Sequence, residues 1–71
     1  MFKVGDMVRI KKEWLDPNED PSTIYVVMED YGDGTTKVWV KSEISAFGGH
    51  YYVWASEVFY KVGHMDIERR S

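Results

Sequence analysis

The chain has 71 residues, 44% hydrophobic and 15% aromatic, with nine Lys or Arg against twelve Asp or Glu for a formal net charge of −3. That length predicts a single domain, near the size at which one core is only marginally sufficient. The absence of cysteine excludes a disulfide framework and a thiolate metal site, and no apolar run approaches the roughly 20 residues that cross a bilayer as a helix.

Residues 1–3 open straight into folded-looking sequence with no secretory leader, so the expected setting is soluble and cytoplasmic, with no membrane partner. Charge is unevenly spread. Residues 1–12 carry Lys3, Arg9, Lys11 and Lys12 against Asp6 alone, whereas residues 13–33 carry seven acids and no Lys or Arg. Such polarity weakens the case for a generic nucleic-acid binder, whose affinity rests on phosphate neutralisation.

In chain order, Val4-Gly5-Asp6 predicts a turn into a first strand over residues 7–12. There Val8 and Ile10 alternate with Met7, Arg9 and Lys11, giving an apolar inner face and a basic outer one. Residues 13–22 hold Asp16-Pro17-Asn18-Glu19-Asp20-Pro21, too many turn formers for a regular element, and read as a long acidic loop. Trp14 shares the parity of Val8 and Ile10 and is expected to plug the end of the core.

Residues 24–41 give the clearest signal, two β-branched and aromatic runs around Gly32-Asp33-Gly34. A two-residue Asp33-Gly34 turn would set Glu29 opposite Val38 and Val26 opposite Lys41, mixing polar and apolar residues on both faces. A three-residue loop with Gly34 at positive φ pairs Tyr31 with Thr35. Met28 then opposes Val38 and Val26 opposes Val40 on one face, with Ile24 further along. Glu29–Lys37, Val27–Trp39 and Tyr25–Lys41 fall on the other. A one-residue slip exchanges the faces, so the cleaner segregation selects the three-residue loop. Its consequence is that Tyr25 and Trp39 point away from the core.

Residues 42–49 read as a connector with Ile44 and Phe47 tucked inward, ending in the Gly48-Gly49 turn. Residues 50–54 form a fourth strand, Ala55-Ser56-Glu57 a single tight turn, and residues 58–62 a fifth strand. Residues 63–71 read as a flexible tail, with Met65 and Ile67 as candidates to dock. The expected architecture is therefore all-β, one five-stranded barrel over residues 1–62 with a long acidic first loop and a 3-10 turn before the last strand.

Two stretches carry a family resemblance. Tyr52-Val53-Trp54-Ala55-Ser56-Glu57-Val58 resembles the end of SH3-like barrels, where an aromatic, a β-branched residue, proline, two small polar residues, tyrosine and valine succeed one another. Val4-Gly5-Asp6-Met7-Val8-Arg9-Ile10 resembles the opening of bacterial SH3-like and KOW-type domains. The resemblance implies that Val53 and Val58 face the core, which turns Tyr52 and Trp54 outward. Trp54 stands where the peptide-binding proline would be and Glu57 where the groove tyrosine would be, so proline-rich recognition is not carried over. Residues 11–15 lack the KOW glycine, and no ribosomal or transcriptional role is carried over either. A fold does not supply a function.

On this reading Tyr25, Trp39, Tyr52 and Trp54 form an exposed patch edged by Lys37 and Lys41, the kind of surface that marks a binding site. The competing reading is that a small barrel needs large side chains to close its ends. Asp16, Asn18 and Asp20 have the spacing of the first ligands of a calcium loop, but Pro21 replaces the required glycine and Val27 the bidentate glutamate. His50 and His64 have no neighbours at ligand spacing, and Ser56 has no recognisable base. No catalytic residue, metal or cofactor is expected, and Glu29, Glu43 and Glu57 converge on no evident pocket. The function expected is a non-catalytic module for a protein or peptide bearing basic groups. The alternatives are a nucleic-acid-binding module, with bases stacked on the aromatics and phosphates on Arg9, Lys11, Lys12, Lys37 and Lys41, and a monomer or weak homo-oligomer associating through its aromatic face.

Overall fold

The computed structural model describes residues 1–42 and 48–65. They form one antiparallel sheet of β1 (Asp6–Ile10), β2 (Tyr25–Asp30), β3 (Thr35–Lys41), β4 (Gly49–Ala55) and β5 (Phe59–His64), in the spatial order β4-β3-β2-β1-β5. One 3-10 turn (Lys12–Trp14) follows β1 and a second (Ser56–Val58) links β4 to β5. The second was expected; the first takes Lys12, expected at the end of the first strand, together with Glu13 and Trp14 of the stretch read as irregular, and β1 ends at Ile10. Among the described residues hydrogen bonding does not close the sheet, and β4 and β5 are its two edges. The two edges nevertheless meet at one end, where the Trp54 and Phe59 ring centroids are 5.9 Å apart.

The hairpin uses the three-residue loop. Gly32 and Gly34 take φ of 76° and 96°, the Tyr31 N–H donates to the Thr35 carbonyl at 3.2 Å, and Glu29 opposes Lys37. Beyond that point the expected register fails. A β-bulge between Val27 and Glu29 leaves Met28 as the extra residue, so Val27 opposes Val38 and Val26 opposes Trp39. An extra residue exchanges the faces of everything beyond it. Tyr25, expected outside, is 9% exposed in the core, whereas Ile24 and Met28, expected inside, are exposed. The physical reason is continuity with β1. Val8 pairs with Tyr25, so burying Val8 requires Tyr25 and Val27 on the same side.

Val8, Ile10, Tyr25, Val27, Val38 and Phe59 make the core, with Phe2, Leu15, Val40, Trp54 and Val58 packed against it. Trp14, expected to plug this core, is 50% exposed. Val53 was also expected inside and is 52% exposed, because its cross-strand partner Lys37 lies on the outer face. Gly63 and His64, expected in a flexible tail, belong to β5, and residues 66–71 lie outside the described residues. β5 runs to His64, and the Met65 N–H donates to the Gly5 carbonyl at 2.7 Å. The inward placement of Ile44 and Phe47 and the docking of Ile67 lie outside the described residues.

A buried carboxylate fastens the start of β1 to the end of β5. Asp6 is 1% exposed. Its Oδ2 accepts the Lys3 N–H at 2.8 Å, and its Oδ1 lies 2.7 Å from His64 Nδ1 and 3.4 Å from Lys61 Nζ. Gly5 beside it has φ of 95°, and a Cβ there would sit 3.0 Å from the Met65 carbonyl oxygen. Burial alone would push the Asp6 carboxyl up, but the Lys3 N–H, His64 and Lys61 outweigh it and hold the group below its ordinary value. A depressed carboxylate contributes stability that is present above the unfolded-state value of about 3.9 and lost as pH falls through the folded-state value. Urea midpoints are therefore expected to fall on acidification below about pH 4. Asp6→Asn should lower stability at pH 7 by about 1–3 kcal/mol and flatten that acid limb. A second denaturation pair checks the bulge: Val27→Ala should cost about 2 kcal/mol, and Met28→Ala less than about 0.5 kcal/mol.

Candidate functional site

The bulge divides the residues read as one patch. Tyr25, Tyr52 and Trp54 lie on the core side of the sheet, because Tyr52 opposes Val38 and Trp54 opposes the buried Thr36. Trp39 lies on the other side with Lys37 and Lys41, which share its parity on β3. There its indole covers Gly49, so that a Cβ on Gly49 would run into the ring. Glycine at that place in β4 is what admits the Trp39 indole. The Lys37 ammonium sits 4.9 Å from the centroid of the Tyr51 ring.

On the core side the aromatic rings run as a row. Tyr52 stacks on Trp54 with centroids 4.6 Å apart and planes 12° from parallel. Trp54 meets Tyr25 edge-on at 5.7 Å, and Tyr25 leans on Phe59 at 6.0 Å. Phe2 closes the row edge-on against Phe59 at 6.4 Å. Alternation along β4 places His50, Tyr52 and Trp54 on one face, and the His50 ring lies 6.4 Å from Tyr52. The row passes from buried at Phe59 and Tyr25, through half-buried Trp54, to Tyr52 at 38% exposure.

Where the row meets the acidic loop it opens into a cleft of about 250 Å³. Ile10, Trp54, Ala55 and Val58 line it from the sheet and second 3-10 turn, and Trp14, Asp16 and Glu19 from the first turn and loop. A smaller cleft of about 100 Å³ continues past Glu19 and Pro21 to Tyr25. Local bonds shape the loop. The Asp16 N–H donates to Glu19 Oε1 at 3.0 Å, and Asp20 Oδ1 accepts the Ser22 N–H at 2.9 Å and its hydroxyl at 2.7 Å. The Ser22 bonds hold the Asp20 carboxyl below its ordinary value, so it stays charged at neutral pH. Burial, and then the nearby Glu19 and Tyr52, push the Tyr25 phenol above its ordinary value, so its hydroxyl stays protonated beside the cleft.

Whereas open clefts of about 490 Å³ beside Leu15, Pro17 and Tyr60 and of about 440 Å³ beside Trp39 and Tyr51 reach the roughly 300–1,000 Å³ of a small-molecule site, these two clefts fall short of it. Their size and shape suit single side chains of an extended ligand. An indole face beside carboxylates suits a cationic side chain, which gains from the ring quadrupole and from charge-assisted bonds together. Among the described residues no three His, Asp or Glu side chains form a group able to hold a metal ion, and no helix is long and apolar enough to cross a membrane.

The acidic loop was expected to edge the patch, but Trp14, Asp16 and Glu19 were not named among its residues. A signal for them was present, because the one tryptophan inside the acidic stretch stands within five residues of both carboxylates. The buried Phe59 and Asp6 were also missed. The chain matches no family model, no curated protein and no solved structure at a significant level.

Proposed function

We propose that the chain is a non-catalytic, SH3-like binding module whose aromatic and acidic groove takes a basic, extended segment of a protein. The observation that carries the reading is a cleft lined by Trp14, Trp54, Asp16 and Glu19 together, with Trp14 half exposed although tryptophan is costly to leave in water. The SH3-like part rests on the two sequence motifs, the five antiparallel strands, and the 3-10 turn that carries the chain from one sheet edge to the other. A lysine or arginine of the ligand lies against the indoles and pairs with Glu19 or Asp16. Neighbouring apolar side chains of the ligand rest on Tyr52. Preformed ring contacts keep the ordering cost of binding low.

A second reading draws on the opposite face, where Lys37, Trp39, Lys41 and Tyr51 combine positive charge with exposed ring surface. Single-stranded nucleic acid suits that chemistry.

One titration separates the two. Short Lys- or Arg-bearing peptides should shift the indole N–H signals of Trp14 and Trp54 saturably, and acidic analogues should not. Trp14→Ala with Glu19→Gln should weaken peptide binding at least about tenfold, roughly 1.4 kcal/mol, with the fold intact by circular dichroism. An oligonucleotide that shifts Trp39 alone at low salt would transfer the function to the other face. Silence of Trp14 and Trp54 toward every basic peptide would overturn the groove reading.

A further inference from the structure

The two edges of the sheet meet solvent differently. β5 carries Lys61 and pairs with β1 through a register shift between Met7 and Val8, both devices that discourage another strand from adding. β4 has neither. Gly49–Ala55 contains no Asp, Glu, Lys, Arg or Pro, and its pairing with β3 runs unbroken from Lys41–Gly49 to Thr35–Ala55. Three large side chains of this strand stand exposed: Tyr51 at 58%, Tyr52 at 38% and Val53 at 52%.

The hydrogen bonds flanking β4 show which backbone groups face out. The Ser42 N–H donates to the Gly48 carbonyl at 3.0 Å, and the Ser56 N–H donates to the Gly34 carbonyl at 2.8 Å. In an antiparallel ladder hydrogen-bonded pairs alternate with non-bonded ones. Even-numbered residues therefore turn their N–H and C=O toward β3. Gly49, Tyr51, Val53 and Ala55 turn theirs to the other side, where no strand of the described residues pairs.

We propose that this edge pairs with the same edge of a second copy of the chain, antiparallel about a two-fold axis through Tyr52. In that register Tyr51 meets the partner's Val53 and Gly49 meets the partner's Ala55. Every outward N–H and C=O of one strand then finds its complement on the other. Tyr52 falls opposite the partner's Tyr52 in a non-bonded pair, where side chains approach most closely. His50 falls beside the partner's Trp54, so the aromatic row continues across the axis on one face.

A copy of this chain is favoured over another strand for two reasons. The strand is uncharged, so pairing it with itself opposes no like charges. Its small residues, Gly49 and Ala55, sit at the two ends and match each other across the axis. Because β5 is blunted, addition stops at two subunits, and the interface is isologous and closed.

Sedimentation velocity of the full chain over a concentration series tests the pairing. The wild type should pass from monomer to dimer with rising concentration, and the amide protons of Tyr51 and Val53 should gain exchange protection in step. Val53→Pro removes an N–H that β3 does not use and should raise the concentration of half-dimerisation at least about tenfold. Should that variant lose its near-ultraviolet dichroism, Val53→Lys, which places a charge on the edge, carries the same expectation. A wild type that stays monomeric throughout would overturn the proposal. So would a dimer untouched by the folded variant, with Tyr51 and Val53 amides exchanging as in the monomer. Trp14→Ala should leave the dimer unchanged, so a failure of the groove and a failure of the edge are read separately.

Discussion

The extra residue at Met28 decides which side of the sheet is inside. The glycine loop fixes pairing near the turn, and β1 fixes it at the other end, where Val8 must share a face with Tyr25. These two constraints differ by one residue, and the bulge absorbs the difference. Without it, Val27 would oppose Trp39, and β2 would present Ile24, Val26 and Met28 to a core built from Val8, Ile10 and Phe59. Bulges also bend and twist the strand that carries them. That bend is consistent with the meeting of Trp54 and Phe59 across the concave side although the sheet does not close.

A second constraint is polar. Carboxylates satisfy backbone N–H groups in the segment before β1 and in the hairpin loop, and one of them also holds side chains of β5. Asp6 holds the Lys3 N–H, His64 and Lys61 at once. Asp30 accepts the Phe2 N–H at 2.7 Å and the Gly32 N–H at 2.9 Å, and those bonds keep its carboxyl below its ordinary value. Through Asp30 the chain start is tied to the hairpin, which sets Phe2 edge-on against Phe59. In a domain this small each such tie is a sizeable share of net stability. The mild net charge therefore understates how much the acids contribute to the fold.

Much of the architecture was legible from local chemistry. Strand alternation at Val8 and Ile10, the glycines of the hairpin and the turn after Ala55 each act over a few residues, and each reads correctly. The faces of β2 and β4 were not legible. A bulge leaves no mark in composition, since Met28 is as plausible inside as outside. The family motif placed Val53 inward, but the side chain follows its partner Lys37 on β3. Asp6 looked like an ordinary turn residue because its partners Lys61 and His64 are distant in sequence. Of the six residues read as one surface, Tyr52 and Trp54 stay together on the row, Tyr25 joins them from within the core, and Trp39, Lys37 and Lys41 fall on the far side.

This division changes what can be asked of each aromatic residue. Trp54 touches Tyr25, Tyr52 and Phe59 and also lines the cleft, so removing it disturbs core and groove together. Trp14 stands on a short 3-10 turn, half exposed, with the acidic loop continuing from it. It is therefore the residue at which the proposed binding role can be tested apart from folding. The cleft thus has one indole supported by the core and a second, half-exposed one on the short turn, with Asp16 and Glu19 beside it. Under the proposed reading the core-supported wall is preorganised and the carboxylates favour a positively charged ligand.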